Sequence, residues 1–225
     1  MGKFQGLHRY LLDREIVSET DIIEPKMIDF ENLFSAHTQR YAYAVWNGDL
    51  DRKEVRRLGL PWTKSLAIRS RLAVQGTLNA GIMALQDGIS ANLAGGTHHA
   101  MPDWGEGFCV YCDVHQGNGT AAIFKDDDRV FTYSIHGEKN YPFKKPPSNL
   151  DVGLPDKTED SEYHKALISS LDSVFESFKP DLVFYLGGID PLETDHFGRL
   201  SLTLAGLRER DRIVMEMVTQ KELPL

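Results

Sequence analysis

Two histidines stand side by side at His98-His99, within Gly95-Gly96-Thr97-His98-His99-Ala100. Adjacent imidazoles are poor packing material, because each ring brings nitrogens that need partners. Imidazole titrates near neutral pH, so the pair suits holding and passing a proton. A pair of solvated loop histidines is the plain alternative. Further along, Asp113 and His115 are separated by one residue in Cys112-Asp113-Val114-His115-Gln116-Gly117-Asn118-Gly119. On extended backbone such side chains face the same way, offering a carboxylate and an imidazole to a single ion. Asp190 closes the run Gly187-Gly188-Ile189-Asp190, with Asp195 shortly after. Together Asp113, His115 and Asp190 make a three-ligand set with room for water and a substrate oxygen, the pattern of catalytic zinc. Singly, Asp190 reads as a loop or cap aspartate and Asp-x-His as a chance pair. Their placement at successive strand ends, each beside glycines, joins them.

The elements that must position these groups follow from periodicity. The first third reads as helical: a short amphipathic helix over Leu7–Leu12, another over Asn32–Trp46 ended by Asn47-Gly48, and a long one over Thr63–Leu85. Short apolar runs then end in polar or glycine clusters. Ile89–Ala94, Phe108–Val114, Arg129–Ile135 and Leu182–Leu186 read as strands, with helices over Ser161–Phe178 and about Leu202–Gln220. Strands alternating with helices predict an α/β fold, a parallel sheet flanked by helices. Sites in such sheets form beyond the carboxyl ends of the strands, where these residues fall. The Pro-, Lys- and Asp-rich stretch Lys144–Lys157 reads as a surface loop.

With 225 residues, 41% of them hydrophobic, residues 1–225 are expected to form a single domain. A formal net charge of −8 argues against direct nucleic-acid binding. No apolar run is long enough to span a bilayer and no signal peptide is evident, so neither membrane association nor secretion is expected. The only cysteines, Cys109 and Cys112, form no disulfide framework, which suits a cytoplasmic protein. Their C-x-x-C spacing within a strand-like segment favours packing over redox or zinc-ribbon use. His8, His37, His164 and His196 read as solvated or helix-surface residues, and Trp46, Trp62 and Trp104 as packing.

Four segments, taken in order, resemble the zinc-dependent histone deacetylase family, which includes acetoin-utilisation proteins and acetylpolyamine amidohydrolases. They are Gly95–Ala100, Gly107-Phe108-Cys109-Val110-Tyr111, Asp113–Thr120 and Gly188-Ile189-Asp190. Val130–Gly137 and Asp195–Leu200 extend the similarity, which is strongest to bacterial members. The resemblance implies an arginase/deacetylase-like fold and one zinc ion on Asp113, His115 and Asp190. It assigns His98 and His99 as active-site histidines, the second as general base. Gly107 and Phe108 match the wall of a narrow channel for an acetyl-lysine side chain. The implied reaction is hydrolysis of acetyl-lysine or a small acetylated amine. In it, zinc polarises the carbonyl and acidifies water while His99 accepts the proton. His136 matches a position near a structural monovalent cation in that family.

The departures are as specific as the matches. Tyr111 runs directly into Cys112-Asp113, where the family has Asn-Asp, a helix, a loop and a buried strand. Tyr111 also replaces an aspartate that partners an active-site histidine, and Asn118 stands where many members have aspartate. The chain starts after the family's first strand and stops before its Gly-Gly-Gly-Tyr loop, whose tyrosine binds the oxyanion. Losing one such donor typically costs about a hundred- to thousand-fold in rate. These features predict the family fold with part of the sheet missing and a damaged site. Phe108–Cys112 would fill the vacated sheet position, pulling Gly107-Phe108 from the channel. A catalytically inactive member or incomplete gene product is therefore one alternative. A metallophosphoesterase is another, although neither of the Gly-Asp and Gly-Asn-His motifs it needs follows Asp-x-His, and His98-His99 precedes it.

Overall fold

The computed structural model describes residues 2–95, 99–104 and 112–225. His98, Gly107, Phe108, Cys109 and Tyr111, which the sequence marks as site or junction residues, lie outside the described residues.

Helix α1 (Gly2–Asp13) buries none of its side chains. The single helix expected over Asn32–Trp46 is instead two, α2 (Phe30–Leu33) and α3 (Gln39–Asn47). The division falls at Thr38, whose hydroxyl accepts a hydrogen bond from the Tyr41 amide and starts α3. Gly48 ends α3 in the left-handed conformation at φ 88°. Helix α4 (Arg52–Leu58) was not anticipated, although Asp51 and Glu54 form a capping box at its start. Helix α5 (Lys64–Asp87) runs as expected, from its Thr63 cap to Gly88. The tryptophans pack as expected. Trp62 donates its indole N–H to the Val45 carbonyl, and the Arg71 guanidinium lies over the Phe30 and Trp46 rings.

Among the described residues two segments form a regular ladder, β1 (Tyr133–Gly137) and β2 (Leu150–Leu154), parallel and in register from Tyr133↔Leu150 to Gly137↔Leu154. The strand expected at Arg129–Ile135 thus begins and ends later. β2 lies inside the stretch expected to be a surface loop. Its alternation of Leu150, Val152 and Leu154 turns apolar side chains to one face despite the flanking prolines and lysines.

Among their described residues the remaining expected strands form no further ladder, but their backbones continue the sheet. Cys112 makes parallel bridges to Ile135 on one side and Gly187 on the other. The Val183 amide donates to the Pro224 carbonyl. Leu225 donates to Gly88 and accepts from Ser90. The chain's last residues therefore lie between the segments expected as strands at Ile89–Ala94 and Leu182–Leu186. Among the described residues, each contact is one or two hydrogen bonds long, shorter than a regular ladder.

Helix α6 (Asn118–Phe124) follows the Asp113–His115 segment, and α7 (Asp160–Ser177) and α8 (Leu204–Thr219) pack together on one sheet face. Their Tyr163, Leu167, Ile213 and Val218 meet Cys112, Val114, Ile135 and Leu154 in the core. Val183 and Tyr185 point into this core, whereas Leu182 and Phe184 reach Gly81 on α5. That alternation makes a sheet layered between helices. No helix among the described residues is long and apolar enough to cross a membrane.

Candidate active site

The Cys112 bridges deliver Asp113 and His115 to the end of β1, while the Gly187 bridge brings Asp190 alongside. Asp113, His115 and Asp190 each present a ligand atom, all within 4.8 Å of one another. Asp113 and His115 do not meet through a strand pleat, as the spacing predicts, because residues 113–115 form a bend. Asp113 Oδ1 accepts the His115 amide at 2.7 Å, an Asx turn that folds the two side chains together. The same oxygen lies 2.7 Å from His115 Nδ1, and Asp190 Oδ2 lies 3.1 Å from that nitrogen. Asp190 Oδ1 accepts the Val114 amide at 3.2 Å. Asp195, in contrast, accepts from the Phe197 and Gly198 amides and shapes its own loop.

Both glycines of Gly187-Gly188 are demanded by close approach. A Cβ at Gly188 would lie 2.7 Å from Asp113 Oδ2 and 2.9 Å from Asp190 Oδ1. One at Gly187 would meet the Tyr185 hydroxyl at 2.8 Å and Arg210 Nη2 at 3.0 Å. Asp113 is buried, and Asp190 and His115 are nearly so. Burial alone would raise the Asp190 carboxyl, but hydrogen bonding to His115 and the Val114 amide holds it below the usual carboxylate range.

His99 is 2% exposed and stands with its ring centroid 6.0 Å from that of His115. Its Nδ1 pairs with Asn118 Oδ1 at the start of α6. The carbonyl partner places the proton on Nδ1 and the lone pair on Nε2. Burial pushes its pKa down, His115 adds to the effect, and Asn118 opposes it, leaving His99 neutral near pH 7. Tyr141 packs edge-on against both imidazoles, at 5.3 Å from His99 and 6.5 Å from His115. The sequence reading did not single out Tyr141. Its one signal was an aromatic residue in a polar loop just beyond a strand end.

Other histidines are placed differently. His136 is buried, with Nδ1 3.0 Å from Ser134 Oγ. His37 and His164, expected on the surface, are half-buried and bond to the Met101 and Gly206 carbonyls.

The Histone deacetylase domain profile matches residues 1–114 and 110–225. The chain belongs to the histone deacetylase family. Its two matched stretches meet at the Tyr111-Cys112 junction, where the sequence departs most from the family pattern. A protein from Picosynechococcus sp. is 39% identical, over 96% of this chain and 79% of its own length. The Staphylococcus aureus acetoin utilization protein AcuC is 26% identical, over 88% of this chain and 62% of its own. The crystal structure of a histone deacetylase homologue from Aquifex aeolicus superposes with a TM-score of 0.79 at 25% identity. That match covers 93% of this chain and 68% of the other. The chain thus spans about two thirds of several relatives in a family with this fold.

The donor set suits a divalent ion. One imidazole and two carboxylates are borderline-to-hard ligands of the kind that bind catalytic zinc. Two carboxylates drawn together in a largely buried cluster also repel, a cost that a cation would relieve. At zinc–ligand distances of about 2.0–2.2 Å the donors would sit roughly 3.3–3.5 Å apart. The present 2.7 and 3.1 Å contacts would have to open only slightly.

Proposed function

We propose that this protein is a zinc-dependent amidohydrolase that removes acetyl groups from acetyl-lysine or a small acetylated amine. Asp113, His115 and Asp190 would hold the ion. The observation that carries this reading is their convergence beside a buried, neutral His99. Bound zinc supplies Lewis acidity to an amide carbonyl and to water. His99 Nε2 takes the proton from the attacking water and returns it to the departing amine. Asn118 fixes the tautomer that leaves Nε2 basic, and Tyr141 packs the two imidazoles and shields them from water. His98 would steady developing charge. Residues 1–225 act as one cytoplasmic domain in this reading.

Zinc content and acetate release from an acetyl-lysine peptide and an acetylpolyamine test it together. Wild type should hold one zinc per chain, and Asp113→Ala should lose it. His99→Ala should retain zinc while turnover falls about 10²- to 10⁴-fold. A folded protein without zinc would overturn the reading, as would turnover that survives His99→Ala. A second reading, a metal-binding but catalytically silent member, draws on the family match breaking at residues 110–114. Stoichiometric zinc with no turnover on either substrate would favour it.

A further inference from the structure

Arg210 is an arginine on α8 with only 3% of its surface exposed, and the chemistry proposed above does not use it. Its Nη1 donates to two carbonyls, Cys112 at 2.7 Å and Gly188 at 2.6 Å. Its Nε and Nη2 both donate to Asp211 Oδ1, at 2.9 and 2.7 Å. The Tyr185 hydroxyl donates to that same carboxylate oxygen. Cys112 immediately precedes Asp113, and Gly188 lies two residues before Asp190.

We propose that Arg210 is a positioning residue that locks the Asp113- and Asp190-bearing segments in register, so that their carboxylates meet at one point. This role rests on the metal-site reading. Three features make it specific. First, a single guanidinium nitrogen spans the two segments, so neither can slide without breaking a charge-assisted bond. Second, it acts where the two segments meet: Cys112 bridges Gly187, and backbone bonds run from Cys112 N to Leu186 O and from Gly188 N to Cys112 O, so Arg210 Nη1 reinforces that junction at both carbonyls. Third, Gly187 leaves the space that Arg210 Nη2 and the Tyr185 hydroxyl occupy. Asp211 and Tyr185 hold the far side of the guanidinium, which fixes the direction of the fork.

The test compares wild type, Arg210→Lys, Arg210→Met and Asp190→Ala by hydrogen exchange on the metal-free proteins and by zinc competition against a chromophoric chelator. Arg210→Met should speed exchange in peptides covering residues 112–118 and 186–192 while those of α7 stay protected. Its zinc affinity should fall about 10- to 100-fold. Arg210→Lys keeps the charge but not the fork, so it should fall between wild type and Arg210→Met in both measurements. Should Arg210→Met unfold, Arg210→Lys carries the comparison alone. Unchanged local exchange in a folded variant would overturn the proposal, as would zinc affinity equal to wild type where Asp190→Ala abolishes binding. If wild type binds no zinc yet local exchange rises, the positioning role stands and the metal-site reading fails.

Discussion

Replacing Gly188 with alanine tests the packing of the two carboxylates most directly. The new methyl would lie 2.7 Å from Asp113 Oδ2, 3.1 Å from Asp113 Cγ and 2.9 Å from Asp190 Oδ1. Ordinary contacts start near 3.4 Å, so the carboxylates must retreat by about 0.7 and 0.5 Å. Functional constellations tolerate about 0.5 Å, so two of the three donors reach or pass that limit together. Overpacking of this kind costs about 1–3 kcal/mol, offset by several tenths through reduced freedom of the unfolded chain. Zinc affinity should fall about 10- to 100-fold, read by chelator competition, with a lower melting temperature. Gly153→Ala is the matched control. It sits on β2, where a Cβ would first meet Glu138 at an ordinary 3.5 Å. That variant should bind zinc like wild type and melt no lower. Gly188→Ala with wild-type affinity and melting would refute the packing argument, and equal damage from both substitutions would show that it lacks specificity.

The other expectations concern the surroundings of the site. Asn118→Ala, which removes the Nδ1 partner of His99, should lower turnover about 10- to 100-fold without loss of zinc. Asn118→Asp adds a negative charge there and stabilises the imidazolium. The acid limb of the pH–rate profile should then move to higher pH, and no movement would count against His99 as the base. Burial pushes the pKa of His136 down to about 4. The unfolded chain therefore binds its proton first, and stability should fall as pH drops from about 6.5 toward 4, by on the order of 3 kcal/mol. Urea titrations across that range should show a flatter acid limb for His136→Gln. Thr203 caps α8 through the Gly206 amide and donates to Asp160 Oδ2 at the start of α7, so Thr203→Ala should cost about 1 kcal/mol in chemical unfolding.

The long helices were legible because their signals are local. Thr63 and Gly88 bracket α5, and the apolar spacing of Ser161–Phe178 describes α7 to within a residue at each end. Strands depend on partners distant in sequence. Leu182–Leu186 has the composition of a strand, and among the described residues its neighbours, Cys112 and residues 224–225, are reached only through the fold. β2 was hidden because prolines and lysines around it outweighed a short alternation. The convergence of Asp113, His115 and Asp190 was readable from residue type and spacing, although an Asx turn brings Asp113 and His115 together where the spacing suggested a pleat. Arg210 was not readable as a partner of these groups. On the sequence it is one of several charged residues in Leu207-Arg208-Glu209-Arg210-Asp211-Arg212, and only the orientation of α8 selects it for burial.

Two of the three candidate ligand side chains that meet at the site, His115 and Asp190, are 75 residues apart in the chain. An ion held in common by these groups would therefore act as a clasp as well as a reagent, closing most of the β1, β2 and α7 region into a loop. For a loop of this length, chain-entropy reasoning puts the effect of such a cross-link at roughly 4–5 kcal/mol. Folding and ion capture become one linked equilibrium, so chelation should loosen the body of the protein as well as silence its chemistry. The segments that Cys112 joins on either side would gain most directly from that clasp.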